Sequence, residues 1–153
     1  MRIGVISDTH GLLRPEALAA LAGCEHILHA GDVGDIGILE ALVKIAPVTA
    51  IRGNVDTAGA CADLPASEYV ELGGAAFYLI HDVHDLDLNP GAAKVDCVVS
   101  GHSHRPSVET RKGVLYLNPG SAGKRRFSLP ITLAVAHSEG GRVRAEIIPL
   151  EPA

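Results

Sequence analysis

Short apolar runs alternate with helix-like spacing through the first third of the chain. Apolar, β-branched stretches at residues 2–7, 26–30 and 48–52 are typical of buried strands. Between them, residues 15–22 and 36–46 carry apolar positions at helical spacing. The order strand, helix, strand, helix, strand predicts three parallel strands in a doubly wound α/β layer.

The rest of the chain changes to paired strand patterns. Three glycine-containing turns, at residues 73–74, 111–113 and 138–141, each separate two strand-like stretches and therefore predict hairpins. Another buried strand is predicted at residues 95–99, after a short helix around residues 87–93. We expect two sheets packed together with helices outside. No linker or repeat divides the chain, so we expect one domain over all its 153 residues.

Polar side chains follow six of the predicted strands, at the point where each strand ends. Five of these strand ends carry residue types that bind metals: Asp8 and His10, Asp32, Asn54, His81, and His102 with His104. The carboxyl ends of strands in an α/β sheet converge on one rim, where ligands bind. We therefore expect these seven side chains to share one crevice, although each histidine taken alone would be an ordinary loop residue.

The number and type of these side chains indicate two metal ions. Zinc sites usually use three or four protein ligands, so seven are too many for one ion. Seven suit two ions that share a bridging carboxylate, an arrangement that acts on phosphate esters. Mixed imidazole, carboxylate and amide ligands favour Mn²⁺, Fe²⁺, Zn²⁺ or Ni²⁺ over Mg²⁺ and Ca²⁺.

Composition narrows the classes of partner. The chain is 47% hydrophobic and 20% charged, with a net charge of −5, so it has no general basic field for nucleic acid or anionic membranes. A phosphorylated substrate would need local positive charge, from metal ions or a few cationic side chains. The three cysteines are scattered, which fits a reducing compartment, and no apolar run reaches the ~18 residues of a membrane helix. We expect a cytoplasmic protein.

The order of these motifs resembles that of the calcineurin-like metallophosphoesterases. The small size of the chain narrows the resemblance to the compact phosphodiesterases of the YfcE type, and it covers nearly the whole sequence. The motifs that carry it are DTH at 8–10, GD at 31–32, GNVD at 53–56, His81, GHSH at 101–104 and NPGS at 118–121.

The resemblance implies a fold, a cofactor and an activity. The implied fold is α/β, a four-layer αββα sandwich of two mixed sheets flanked by helices. Asp32 would bridge two divalent ions, with Mn²⁺ as first choice and Ni²⁺, Fe²⁺ or Zn²⁺ as alternatives. A hydroxide held between the ions would attack phosphorus in line and hydrolyse small phosphodiesters. The first ion would be held by Asp8, His10 and His104, and the second by Asn54, His81 and His102.

Two positions bear on how such a substrate would be handled. Val55 stands where larger relatives carry a histidine that protonates the leaving group. Valine cannot transfer a proton, so the catalytic acid is unassigned, and His84 or another nearby group could replace it. Asn54 and Arg105 are the candidate substrate contacts, with an ordinary surface charge as the alternative for Arg105.

Alternative interpretations concern the function of the chain and the roles of two short segments. A non-catalytic scaffold on the same fold, like the retromer subunit that resembles this family, is the rival; that lineage has lost key histidines, whereas this chain keeps all seven ligand positions. The spacing of Gly31, Gly34 and Gly37 does not match a dinucleotide fingerprint. Residues 124–126 are either a solvated basic loop or a contact for a phosphate or nucleotide. The residues alone leave open the substrate, the native metal, the choice between diester and monoester, and whether the chain forms a homo-oligomer.

Overall fold

The computed structural model describes residues 1–150. Within them the chain forms two α-helices, α1 (Pro15–Leu21) and α2 (Ile36–Val43), and two 3-10 turns, at Ala60–Asp63 and Val83–Asp85. No helix in this part is long and apolar enough to cross a membrane. The strands of the described part are, in chain order, β1 (Arg2–Ile6), β2 (His26–His29), β3 (Val48–Ala50), β4 (Ser67–Leu72), β5 (Ala75–Ile80), β6 (Cys97–Val99), β7 (Ser107–Arg111), β8 (Val114–Asn118), β9 (Thr132–Glu139) and β10 (Arg142–Pro149).

These strands form two five-stranded sheets. The first has the order β10-β9-β1-β2-β3, and its strands β1, β2 and β3 are parallel, as the alternating strand and helix pattern predicts. The second has the order β4-β5-β6-β8-β7, with β5, β6 and β8 parallel. The three predicted hairpins are all formed, as β4–β5, β7–β8 and β9–β10. The prediction of two mixed sheets is confirmed.

Apolar side chains join the layers. Leu21 of α1 and Leu42 of α2 are buried against the outer face of the first sheet. Phe77, the largest fully buried side chain, packs among residues of both sheets in the central layer. Burial of such a side chain contributes about 1.5–3 kcal/mol. On the outer face of the second sheet, Val98 packs with the segment that contains the 3-10 turn at Val83–Asp85. The order helices, sheet, sheet is therefore present, and within residues 1–150 the fourth layer is this segment with its 3-10 turn rather than an α-helix.

The short helix predicted around residues 87–93 is wrong. The side-chain oxygen of Asn89 accepts a hydrogen bond from Ala92 N–H at 3.2 Å, and its carbonyl accepts one from Ala93 N–H at 2.9 Å. These bonds close a single turn, which ends at Lys94 with a φ of 59°. An asparagine side chain that bonds the nearby backbone favours a turn over a continuing helix.

Turns from both sheets meet at one edge of the sandwich. Asp8 N–H, after β1, donates to the carbonyl of Gly31, after β2, at 3.0 Å. Gly101 N–H, after β6, donates to the carbonyl of His81, after β5, at 2.9 Å. The N–H of His102 then crosses between the sheets and donates to Oδ2 of Asp8 at 3.1 Å. These bonds fix the strand ends as a single rim.

Candidate metal centre

The turns at this rim share an uncommon backbone conformation. Of the eight non-glycine residues with positive φ in the described part, five lie here: Asp8 (55°), His10 (47°), Asp32 (55°), His102 (69°) and His104 (62°). A non-glycine residue in the left-handed region costs about 1–3 kcal/mol, and such residues concentrate at functional sites. The rim therefore holds its polar side chains by a strained backbone.

The first group of side chains contains Asp8, His10 and His104. Nε2 of His104 lies 3.3 Å from Oδ1 of Asp8, and Nε2 of His10 lies 3.6 Å from the same oxygen. The two imidazole rings are 5.3 Å apart between centroids. Asp8 and His104 are buried. One carboxylate oxygen and two ring nitrogens thus converge closely enough to hold one ion.

The second group contains Asp32, Asn54, His81 and His102. Nε2 of His81 lies 3.2 Å from Oδ2 of Asp32. Oδ1 of Asn54 lies 3.0 Å from that same His81 nitrogen and 3.2 Å from Nδ1 of His102. His81 is buried, whereas Asn54 and His102 are exposed on the outer side. This group is therefore the one that opens to solvent.

Asp32 lies between the two groups. Its Oδ2 is 3.6 Å from Nε2 of His10 in the first group and 3.2 Å from Nε2 of His81 in the second. Its other oxygen, Oδ1, accepts a hydrogen bond from Val55 N–H at 3.0 Å. One oxygen is thus fixed by the backbone while the other faces both groups, as a bridging ligand must.

Asp8 also reaches toward the second group, but with less freedom. Its Oδ1 lies 3.9 Å from Nε2 of His81. Its Oδ2 already accepts hydrogen bonds from Ser7 Oγ at 2.5 Å and from His102 N–H at 3.1 Å. Only Oδ1 is left to face the centre, and its shortest contact is with His104 of the first group.

The side chains of the first group fit a cation because their oxygen and nitrogen lone pairs converge without hydrogen-bond donors to pair them. Oδ1 of Asp8 and Nε2 of both His10 and His104 are buried and have no hydrogen-bond partner within residues 1–150. Buried polar atoms are normally paired, and leaving one unpaired costs about 1–3 kcal/mol. A divalent ion would satisfy all three. The residues of the first group therefore fit a bound metal.

Asn54 supports the same conclusion for the second group. Its Oδ1 faces Nε2 of His81, which carries no hydrogen in the neutral ring because Nδ1 faces the Ala30 carbonyl. A carbonyl oxygen in that position is favourable only beside a cation or a protonated ring. Turning the amide over would let its nitrogen donate to His81 at 3.0 Å, to His102 at 3.2 Å and to Asp32 at 3.2 Å. The orientation of Asn54 is thus a property that a bound metal would set.

The electrostatics of the centre favour positive charge. Burial raises the pKa of Asp8, but contacts with His10, His104 and Ser7 outweigh it and hold that pKa well below its usual value. Burial lowers the pKa of His81, but Asp32 and the Ala30 carbonyl outweigh it and raise that pKa to about 8. Where metal is absent, a proton on His81 compensates part of the negative charge.

Comparison with known families agrees with this centre. A model described as the calcineurin-like phosphoesterase superfamily domain matches residues 1–141. The chain belongs to this superfamily. A probable metallophosphoesterase of Methanothermobacter thermautotrophicus is 36% identical, with 97% of this chain and 92% of the relative covered. Another, from Methanocaldococcus jannaschii, is 34% identical, with 99% of this chain and 82% of the relative covered.

Solved structures share the fold. An archaeal phosphodiesterase matches with a TM-score of 0.79 at 24% identity, over 97% of this chain and 100% of its own. The Escherichia coli phosphoesterase YfcE matches with a TM-score of 0.68 at 25% identity, over 88% of this chain and 87% of its own. Vps29 of Chaetomium thermophilum matches with a TM-score of 0.79 at 19% identity, over 97% of both chains. The predicted resemblance to YfcE-type phosphoesterases is confirmed.

Asp56 holds two turns of the rim together, the turn after β2 and the turn after β3. Its Oδ2 accepts hydrogen bonds from Val33 N–H at 3.1 Å and Gly53 N–H at 2.9 Å, and its Oδ1 accepts one from Gly34 N–H at 3.0 Å. The side chain is buried and bonds only the backbone. Gly53 is close to Asp56 in the chain, but Val33 and Gly34 lie on another turn, 23 and 22 residues earlier, so no local signal in the sequence points to this contact.

The NPGS segment, residues 118–121, also supports turns of the candidate metal centre. Nδ2 of Asn118 donates to the Gly101 carbonyl at 3.0 Å and to Oγ of Ser103 at 3.1 Å. Oγ of Ser121 donates to the Asp8 carbonyl at 3.0 Å. Asn118 and Ser121 thus hold the turns that carry His104 and Asp8, and Ser121 acts on the backbone rather than as a nucleophile.

His29 is a buried support behind the same turns. Gly31 N–H donates to its Nδ1 at 3.1 Å, so Nε2 carries the hydrogen and donates to Oγ1 of Thr9 at 3.0 Å. The Thr9 hydroxyl then donates to the Val33 carbonyl at 2.9 Å. Complete burial lowers the pKa of His29 to about 4, which keeps the ring neutral. In the sequence, only the position of His29 before the GD motif points to a role at this site. The side chain of His29 supports the backbone of the turns and does not contact the Asp32 carboxylate.

Two glycines permit the close approach of these turns. A side-chain carbon on Gly53 would collide with the Asp32 carboxylate, and one on Gly101 would lie 2.5 Å from Oδ2 of Asp8. Any larger residue at either position would push a central carboxylate aside.

A cavity of about 390 Å³ opens beside the second group of this centre. Arg52 is the cation that lines it, with its guanidinium fixed on the Leu64 carbonyl at 2.6 Å. Three carboxylates also line it, from Asp82, Asp85 and Asp87. Sequence reasoning missed Arg52, while the predicted contact Arg105 is exposed and does not line this cavity.

Proposed function

We propose that this chain is a dinuclear metal-dependent phosphodiesterase that hydrolyses small phosphodiesters. The observation that carries the proposal is the position of Asp32 Oδ2, 3.6 Å from a ring nitrogen of one group and 3.2 Å from a ring nitrogen of the other. Around it converge buried lone pairs that have no hydrogen-bond partner among the described residues. Such an arrangement serves two ions that share one carboxylate.

In this proposal Asp32 bridges the ions and the remaining six side chains divide between them. Two bound ions would supply Lewis-acid charge to the phosphate and lower the pKa of a coordinated water, so that water can act as the nucleophile. Asn54 and His102, on the exposed side, would also border the substrate. The first ion would be held by Asp8, His10 and His104, and the second by Asn54, His81 and His102.

The donor set also bears on the choice of metal. Four imidazoles, two carboxylates and one amide are a borderline set, which suits Mn²⁺, Fe²⁺, Ni²⁺ or Zn²⁺ better than ions that prefer all-oxygen shells. Mn²⁺ is our first choice. Zinc is the alternative suggested by a distant structure, a Vps29 of Entamoeba histolytica solved in complex with it at 21% identity.

The charge of the cavity favours diesters over monoesters. Asp82, Asp85 and Asp87 line this cavity with one arginine, Arg52, so carboxylates outnumber the permanently charged cation. A phosphomonoester carries close to two negative charges at neutral pH, whereas a diester carries one. Added negative charge beside three carboxylates is unfavourable. We therefore propose that an uncharged arm of a diester occupies this cavity.

Val55 limits which leaving groups depart easily. Its side chain is 44% exposed at the rim, and its N–H is already bonded to Asp32. A general acid typically contributes a factor of about 10²–10⁴, which this position cannot supply. We expect activated aryl diesters to react faster than alkyl diesters. Arg105, which follows His104, is a further proposed contact for the substrate phosphate.

The test uses protein stripped of metal and reloaded separately with Mn²⁺, Ni²⁺ or Zn²⁺. Each form is assayed with bis-p-nitrophenyl phosphate and with p-nitrophenyl phosphate. We expect metal-dependent hydrolysis of the diester, weaker hydrolysis of the monoester, and loss of both in Asp32→Ala. Asp63→Ala, which removes an exposed carboxylate that belongs to none of the rim motifs, is the matched control. Metal binding without hydrolysis in every combination would favour the non-catalytic scaffold instead.

A further inference from the structure

A basic segment lies beside the first group of the metal centre. We call residues 124–127 the basic loop; they are Lys124, Arg125, Arg126 and Phe127. Three of the thirteen lysines and arginines of this acidic chain are therefore consecutive. The proposed reaction at the metal centre does not use them.

The start of the loop is fixed against the turn that carries Asp8. Ala122 N–H donates to the Ser7 carbonyl at 3.1 Å. A side-chain carbon on Gly123 would lie 2.7 Å from the Asp8 carbonyl oxygen, so the two backbones are in direct contact. On the other side, Nε of Arg14 donates to the Gly123 carbonyl at 3.1 Å. The basic loop thus begins at the backbone of the first group.

The charges of Lys124 and Arg126 are available to a ligand. Within residues 1–150, no carboxylate lies within ion-pair distance of Lys124 or Arg126. Cations held near a phosphate site without carboxylate partners are suited to a second anionic group.

Phe127 adds an aromatic surface to this charge. It is 88% exposed, more than any other large hydrophobic residue of the described part, and its φ of 56° is uncommon for a bulky side chain. An exposed aromatic ring next to cations is the combination that binds the base and the phosphate of a nucleotide. A ring held out by a left-handed backbone is placed for such stacking.

We propose that the basic loop binds the nucleotide arm of the substrate, with a base on Phe127 and a second phosphate on Lys124 and Arg126. This inference rests on the proposed phosphodiesterase function and names its substrate class. The preferred substrates are short nucleotide diesters with a further phosphate next to the scissile one. The anionic arm lies on the basic loop, and the uncharged nucleoside arm lies in the acidic cavity on the opposite side.

The kinetic test compares thymidine dinucleotides with and without a 5′-phosphate. For the wild-type chain we expect the 5′-phosphate to raise kcat/KM about tenfold, the size of one modest charge contact. In the double variant Lys124→Ala/Arg126→Ala this ratio falls to about one. Phe127→Ala lowers kcat/KM about fivefold or more on both dinucleotides, because each has a base to stack. Arg142→Ala, on β10, is the matched control and keeps the wild-type ratio.

The outcomes separate the two proposals. Absence of bis-p-nitrophenyl phosphate hydrolysis with every metal would overturn the phosphodiesterase function itself. Hydrolysis of that diester with no effect of the 5′-phosphate, or with the same effect in the double variant, would overturn only the role of the basic loop.

A binding measurement is independent of turnover. ¹H–¹⁵N NMR spectra of the metal-free chain are recorded with thymidine 5′-monophosphate and with thymidine. We expect the nucleotide to shift the amides of residues 123–128, thymidine to shift them much less, and the double variant to lose the difference. Equal shifts for both ligands, or shifts only elsewhere, would contradict the proposal.

Discussion

Nδ1 of His81 donates its hydrogen to the Ala30 carbonyl at 2.7 Å, which directs Nε2 toward Oδ2 of Asp32, 3.2 Å away. Ala30 directly follows β2 of the first sheet, and His81 directly follows β5 of the second, so one sheet sets the tautomer of a ring carried by the other. A fixed tautomer of this kind orients metal-binding histidines. In neutral His81 the lone pair of Nε2 would thus already point to where the proposed metal binds.

The pKa of His81 leads to a prediction for metal binding. Because this pKa is about 8 in the metal-free chain, a metal that binds at pH 7 must displace a proton from the ring. We expect the apparent metal affinity to fall about tenfold per pH unit below pH 8. Calorimetry in two buffers of different ionisation enthalpy measures the proton released. Binding at pH 7 without proton release would contradict this.

The two histidines of the GHSH motif have different neighbours, so the loss of each should weaken only one of the two proposed metal sites. His104 contacts Asp8 in the first group, while His102 contacts Asn54 in the second. We expect His104→Ala and His102→Ala each to retain about one ion per chain, and Asp32→Ala to weaken both sites. Elemental analysis after dialysis gives the stoichiometry, and His137→Ala on β9 is the control. Loss of both ions in each single variant would argue against separate sites.

The buried ring of His29 should make stability depend on pH. Its folded pKa of about 4 lies below the ordinary histidine pKa of 6.5, so the unfolded chain binds more protons between these values. Stability contributed by neutral His29 is therefore present above pH 6.5 and lost as the pH falls toward 4, by about 1.4 kcal/mol per unit. Urea unfolding of the metal-free wild type and of His29→Gln measures this, and the variant should have a shallower slope. Parallel slopes would show that other groups dominate.

Restoring a proton donor at position 55 should change the choice of leaving group. Val55 is 44% exposed, so a histidine side chain can be accommodated. We expect Val55→His to raise turnover of alkyl diesters by a factor of about 10² or more, and to affect p-nitrophenyl diesters little. Val55→Gln, similar in size but unable to protonate a leaving group, is the control. An equal gain on both substrate classes would point to binding instead.

Asp56 should matter for stability and not only for metal binding. Its removal leaves three backbone N–H groups without a partner, at an expected cost of about 3 kcal/mol or more. Asp56→Asn keeps an acceptor and should cost less than Asp56→Ala. Urea unfolding in the presence of a chelator gives the free energy of unfolding, with Asp63→Ala expected within about 0.5 kcal/mol of the wild type. If all these variants have the same free energy of unfolding, Asp56 does not stabilise the rim.

The sequence predicted the sheets and the meeting of strand ends because both follow from periodicity. Parallel strands have their carboxyl ends at the same edge, so Asp8, Asp32 and His81 could be expected near one another before any distance was measured. The supports could not be predicted in this way. Asn118 bonds Gly101, 17 residues away, and this contact depends on the conformation of two turns rather than on any local pattern. The helix expected around residues 87–93 failed for a related reason, since a side-chain bond from Asn89 closed the turn.

The left-handed backbone conformation at the rim restricts which side chains could serve there as metal ligands. Asp, Asn and His are the types that best tolerate this backbone region, and they are also good ligands for borderline metals. Glutamate has the same charge as aspartate but lacks this conformational tolerance, so exchanging Asp8 or Asp32 for it would strain the turn even though a carboxylate is kept. A side chain at these positions must suit both the left-handed turn and the proposed metal, and the same few residue types meet both conditions. We therefore expect very few substitutions at these positions to be tolerated.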